Sequence, residues 1–179
     1  MVIPNLLIIA GTGNKSGKTT LACRIIKQFA TLKVAAVKIT PHFHETTPGL
    51  ILIEENEGYA IYRETNPGIA KDTSRMLRAG AADVFFAKTT DRSVSAAFET
   101  IMRMIPEGVP MVCESPVLRK FIQPGLFIIM VSKNNNNNKD IKLLSGLPHV
   151  EFDLEFLERN QYLPVIFNNG AWDTTHKAE

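Results

Sequence analysis

Cysteine is scarce in this chain. Cys23 and Cys113 are the only two among 179 residues, too few for a disulfide framework, and such usage suits a reducing cytoplasm. Charge of one sign is also lacking. Twenty Lys and Arg against eighteen Asp and Glu leave a net charge of +2, which advertises neither a nucleic-acid nor a membrane partner. No apolar run approaches the ~20 residues needed to span a bilayer. The first ten residues lack a basic segment ahead of their apolar run, so they read as a first strand and not as a signal peptide. What remains, 45% hydrophobic and 21% charged, is ordinary for a globular protein. No linker or internal repeat divides it, and one domain over residues 1–179 is the expectation.

The chain is organised around Gly11-Thr12-Gly13-Asn14-Lys15-Ser16-Gly17-Lys18-Thr19-Thr20. The apolar run Leu6–Ala10 leads in, and an amphipathic segment from Leu21 to Phe29 leads out. Strand, glycine-rich turn and helix start, in that order, are the context of a phosphate-binding loop. Glycines let successive backbone N–H groups curl around one anion, and the helix N-terminus adds its free N–H groups and dipole. Residues 13–20 are therefore the candidate nucleotide-binding set: Gly13, Asn14, Lys15, Ser16, Gly17, Lys18, Thr19 and Thr20. Lys18 would reach the β- and γ-phosphates and Thr19 would ligate Mg2+.

Further along, Lys33–Ile39 reads as a buried strand stopped by Thr40-Pro41. Two strands joined by a helix predict a parallel pair, which brings Lys38 to the strand ends beside the loop, where it could neutralise phosphate or a substrate carboxylate. His42, His44 and Glu45 follow as tempting metal ligands without a Cys pair. The runs 50–55 and 59–63 flank Asn56-Glu57-Gly58 and predict a hairpin inserted beside the main sheet. Asp72 is expected to cap a helix to about Leu77 that Gly80 ends. A strand over 82–87 and a helix over 93–105, capped by Asp91, come next.

Met111–Cys113 is a brief apolar strand ending in Glu114. An acidic residue at a strand tip is the expected place for a Walker B group, which holds Mg2+ or orients a nucleophile. Glu114 thus joins Thr19 as a metal candidate and Lys18 as a catalytic candidate. Leu126–Val131 is the clearest buried strand, followed by the polar tract 134–138; Ser132-Lys133-Asn134-Asn135 only faintly resembles a guanine-reading motif. Short strands at 150–152 and 163–167 around a helix at 154–160, then a frayed polar tail at 173–179, complete the reading.

Two resemblances sharpen it. The loop spelling Gly-Thr-x-x-x-x-Gly-Lys-Thr resembles that of dethiobiotin synthetase and the cobyrinic acid amide synthases, with Thr12 where the common spacing has glycine; Gly13 stands where MinD-type loops carry a lysine. Lys71-Asp72-Thr73-Ser74-Arg75-Met76-Leu77-Arg78-Ala79-Gly80-Ala81, with Pro67-Gly68 ahead of it, resembles a segment of MobB, the adaptor of molybdopterin-guanine dinucleotide biosynthesis. Lys38, His42 and His44 match that family loosely, and Ser115 replaces its glycine after the acidic residue. The resemblances imply an α/β fold of the three-layer P-loop NTPase type, with a mostly parallel sheet. The MobB likeness implies GTP or ATP with Mg2+, slow hydrolysis, a partner protein and a homodimer built through the hairpin. The synthetase likeness implies instead that Lys38 holds a carboxylate which ATP activates. A third expectation is a non-catalytic module with a vestigial loop.

Overall fold

The computed structural model describes residues 1–13, 15–41, 46–132 and 142–175. The first apolar run becomes strand β1, Val2–Gly11, and the glycine loop delivers the chain into helix α1, Lys18–Gln28. Strand β2 (Ala35–Thr40) is followed by a hairpin of β3 (Leu50–Asn56) and β4 (Tyr59–Glu64). Helix α2 (Asp72–Arg78), strand β5 (Asp83–Thr89) and helix α3 (Val94–Met104) follow, then β6 (Met111–Glu114) and β7 (Gln123–Met130). The last third holds α4 (Lys142–Ser145), β8 (Val150–Phe152), α5 (Leu154–Arg159), β9 (Val165–Asn168) and β10 (Ala171–Thr174).

Eight strands form one sheet in the order β3-β4-β5-β2-β6-β1-β7-β8. The six from β5 to β8 run parallel, while β4 is antiparallel to β5 and to β3. The central strands read as unbroken apolar runs because both faces are covered. Leu6, Ile8, Val37 and Phe85 face one way and pack with Val94, Phe98 and Ile101 of α3. Leu7, Ile9, Ala36 and Val112 face the other way and meet Leu21, Ile25 and Ile26 of α1 and Met76 of α2. Each fully buried Leu or Ile of this kind contributes about 1.5–3 kcal/mol. Helices on both faces of a mostly parallel mixed sheet are compatible with a three-layer α/β fold. No helix among the described residues is long and apolar enough to cross a membrane.

Two expectations are corrected. The hairpin is not an insertion beside the sheet. β4 pairs with β5 from Tyr59↔Thr89 to Arg63↔Phe85, so the hairpin extends the sheet itself. The reason is burial: Tyr59 and Ile61 lie in the same core as α3 and cannot remain outside it. Only β3, at the rim, keeps Ile51, Leu52 and Ile53 exposed. The polar tail is also not frayed from residue 173. β9 and β10 form a separate antiparallel hairpin whose turn is Asn169-Gly170, at φ 51° and 75°. Two positive φ values in a two-residue loop are what Asn-Gly tolerates best. The hairpin anchors through Trp172, which is 2% exposed and lies edge-on to Phe29 and Phe167 at 5.0 and 4.9 Å. Its indole nitrogen donates to the Met111 carbonyl at 3.1 Å.

Candidate functional site

The register of the parallel strands decides what meets the glycine loop. Ile9 of β1 is level with Glu114 of β6, and Lys38 of β2 is level with the same Glu114. The carboxyl ends of β1, β6 and β2 therefore present the loop, an acid and a base side by side. That edge is where open α/β sheets bind ligands. A cleft of about 560 Å³ opens there, lined by Gly11, Lys15–Thr20, Lys38, Asp72, Arg75, Glu114 and Leu154 among others.

The loop's shape follows from its residues. A side chain at Gly11 would place its Cβ 2.3 Å from the Ser16 hydroxyl and 3.0 Å from the Lys18 stem, so the absent Cβ lets the loop fold back over its own strand. Gly17 precedes α1 in the left-handed region at φ 95°, and Lys15 is also left-handed at 58°. Left-handed residues interspersed in a turn are the geometry of an anion-binding nest. No acidic residue occupies the first turn of α1, so its free N–H groups and dipole are uncompensated from within the helix. Thr12, which departs from the common spacing, has a structural task. Its N–H donates to the Met130 carbonyl at 3.1 Å, and its hydroxyl accepts from the Ser132 N–H at 2.8 Å, tying the loop to the end of β7.

Lys18 curls along the loop, donating from Nζ to the Gly13 carbonyl at 2.9 Å and to the Ser16 hydroxyl at 3.2 Å. Thr19 donates from Oγ1 to Glu114 Oε2 at 2.7 Å. Lys38 lies between two carboxylates, donating to Glu114 Oε1 at 3.1 Å and pairing with Asp72 through Oδ2. Burial opposes the Lys38 charge, but Glu114 and then Asp72 outweigh it and hold the ammonium above its ordinary value. Burial likewise opposes the Asp72 charge, and Lys38 overrides it, with Thr19 and Arg75 adding to the effect; the carboxyl sits below its usual range.

The structure thus gathers Lys15, Ser16, Gly17, Lys18, Thr19, Thr20, Lys38 and Glu114 around one cleft, with Gly13 behind Lys18. Asn14, His42, His44 and Glu45, and the 133–138 stretch lie outside the described residues. Two further residues enter that the sequence did not single out for the site. Asp72 is not a helix cap. Lys71 holds that position and Asp72 opens the helix with its carboxylate turned to Lys38. Arg75, one turn on, donates to the Thr20 hydroxyl at 3.2 Å and stands 3.7 Å from Asp72. Ser115 also has a local cause, since its hydroxyl accepts from the N–H groups of Val117 and Leu118 at 3.3 and 3.1 Å and so starts the turn after β6.

Hard oxygens dominate the donor set. Among the described residues no three His, Cys, Asp or Glu side chains form a metal cluster. One hydroxyl and two carboxylates fit Mg2+, which takes few protein ligands and keeps phosphate oxygens and water. Cys113 is fully buried, and burial drives its thiol far above the usual range. Comparison of the chain with family models, curated proteins and solved structures finds no match.

Proposed function

We propose that this protein binds a purine nucleoside triphosphate, GTP or ATP, together with Mg2+, and hydrolyses it slowly in an accessory role resembling that of MobB. The observation that supports the reading most is the Thr19–Glu114 hydrogen bond at 2.7 Å. It joins the loop-end hydroxyl to the strand-tip acid, two groups far apart in sequence that Mg2+ chemistry needs adjacent. In this reading the backbone of residues 13–19 cradles the phosphates and Lys18 turns from Gly13 and Ser16 to the β- and γ-oxygens. Thr19 and Glu114 hold the metal, with Asp72 close by. Bound Mg2+ would neutralise charge on the phosphates, while the chain's own residues position the nucleotide and exclude water.

The alternative, a ligase of the dethiobiotin synthetase type, assigns Lys38 to a substrate carboxylate. Here the Lys38 ammonium already serves Asp72 and Glu114, so a substrate would have to displace a protein partner. That favours the accessory reading. A homodimer and a partner protein belong to the same proposal. The uncovered apolar residues Ile51, Leu52 and Ile53 on the rim strand offer the contact surface, and molybdenum-cofactor assembly is the pathway the resemblance suggests.

Calorimetric titration with GTP and with ATP, each with and without Mg2+, tests the proposal. Mg2+-dependent binding that prefers GTP supports the accessory role. Preference for ATP moves the weight to the ligase. Absence of binding by both nucleotides overturns the nucleotide reading.

A further inference from the structure

A second cleft, of about 510 Å³, opens away from the nucleotide cleft, beside the first half of β7. Its origin is a mismatch of strand lengths. β8 pairs with β7 only from Ile128↔Val150 to Met130↔Phe152, so among the described residues the edge of β7 from Gln123 to Phe127 has no paired strand on that side. The notch does not invite an added strand, because Pro124 within it has no N–H to donate. It is instead walled by side chains of unlike character.

Arg119, carried on the short turn that Ser115 starts, lies with its guanidinium carbon 5.5 Å from the centre of the Phe127 ring. His149 approaches the same ring edge-on at 6.2 Å. Leu147, Pro148 and Val150 supply an apolar wall. Arg119 is poorly compensated. Its Nη1 donates to the Ile122 carbonyl at 3.3 Å, while its Nε is sealed from water with no partner among the described residues. Burial lowers its ordinary affinity for the proton and no charged neighbour opposes this. Five donors on a partly desolvated cation, with one weak bond to protein, form an incomplete arrangement. The cation lies over the Phe127 ring, and apart from the Nη1 bond to Ile122 its terminal nitrogens have no hydrogen-bond partner among the described residues, which leaves them to meet a planar oxyanion. Asp173, also on the cleft, accepts from the Thr174 N–H at 2.8 Å and does not neutralise Arg119.

We infer that this cleft is a second ligand site, for a small organic carboxylate whose head meets Arg119 and whose flat apolar body lies against Leu147, Pro148 and Val150. The proposal is independent of the nucleotide reading, since the two clefts share no residue.

Titration of 15N-labelled protein with sodium benzoate, followed by amide chemical shifts, tests it. Saturable shifts confined to residues 119–127, 147–150 and 173–174, which line the cleft, with Kd on the order of 1 mM for a probe of that size, are expected. Arg119→Met should weaken benzoate at least ~10-fold and Arg119→Lys should weaken it less, because lysine keeps the charge and loses the planar fork. Lys18→Ala should leave benzoate binding unchanged. Inorganic phosphate should bind more weakly than benzoate; equal affinity would refute a role for the apolar wall. Absence of saturation, shifts elsewhere, or undiminished binding to Arg119→Met would each overturn the site. If Arg119→Met does not fold, the wild-type map and Arg119→Lys decide.

Discussion

Replacing Lys38 with methionine removes the ammonium at the strand ends and keeps most of its apolar stem. In the wild type that ammonium serves Glu114, whose side chain is 7% exposed, and Asp72, at 39%. Removing one partner of a buried ion pair costs about 3–5 kcal/mol because the other charge is left uncompensated. Asp72 can rehydrate and Glu114 keeps the Thr19 hydroxyl, so the low end, roughly 3 kcal/mol, applies. At ~2–4 °C per kcal/mol for a chain of this size, Tm should fall by about 6–12 °C in chelator. Millimolar Mg2+ should then raise the Tm of the variant more than that of the wild type, since Glu114 is left without its internal cation and Asp72 keeps only Arg75, 3.7 Å away. The pH profile adds a check. The Asp72 contribution is full above the unfolded carboxyl pKa, about 3.9, and is lost as pH falls through the lower folded value. The Lys38 contribution is full below about 10.4 and is lost as pH rises through the higher folded value. The gap in Tm between wild type and variant should therefore be flat at neutral pH and close at both extremes. Differential scanning calorimetry with chelator or Mg2+ gives all these readings. A variant that melts within about 2 °C of wild type, or that responds to Mg2+ no more than wild type does, refutes the reasoning.

Lys18→Ala should reduce nucleotide affinity roughly 10–100-fold, the worth of one or two charge-assisted bonds to phosphate, with Tm little changed; titration calorimetry and a melt measure the two. Glu114→Gln should weaken nucleotide binding in Mg2+ and leave binding in chelator nearly intact, so the ratio of the two affinities is the readout. Gly17→Ala should be destabilising and impair binding together, because φ of 95° strains any side chain and the new Cβ would stand 2.6 Å from Leu154 Cδ2 and 2.9 Å from Met130 Cε; a loss of ~1–3 kcal/mol by denaturant unfolding is expected.

The features legible in the sequence were those set by neighbours along the chain. The strand, loop and helix around residues 6–29 declare themselves by local pattern. The place of Lys38 follows from the parallel crossover, and that of Glu114 from the strand before it. Asp72 was not legible as a site residue, because a carboxylate at a helix start reads locally as a cap, and only the packing of α2 against the end of β2 turns it to Lys38. The hairpin was visible at 50–63, but its pairing with β5 depends on burial of Tyr59 and Ile61 under α3, a distant relation. By contrast, the last hairpin had a local signal in Asn169-Gly170, overshadowed by the polar residues that follow. The anchoring of Thr12 to β7 likewise explains why the loop's spelling departs from the common spacing.

The position of β1 in the sheet has a consequence for how the molecule comes into being. Strand β1 is central, and both strands that flank it, β6 and β7, are made much later. At about 5–20 residues per second, β1 waits several seconds for its neighbours. During that time Leu6–Ala10, all fully enclosed in the finished protein, have no sheet to join. Residues 35–89, whose strands pair among themselves from β2 through β5, can assemble in the interval. Completing the sheet requires β6 and β7 to flank β1, so its apolar residues stay open to aggregation and to chaperones until Met130, the end of β7, has emerged.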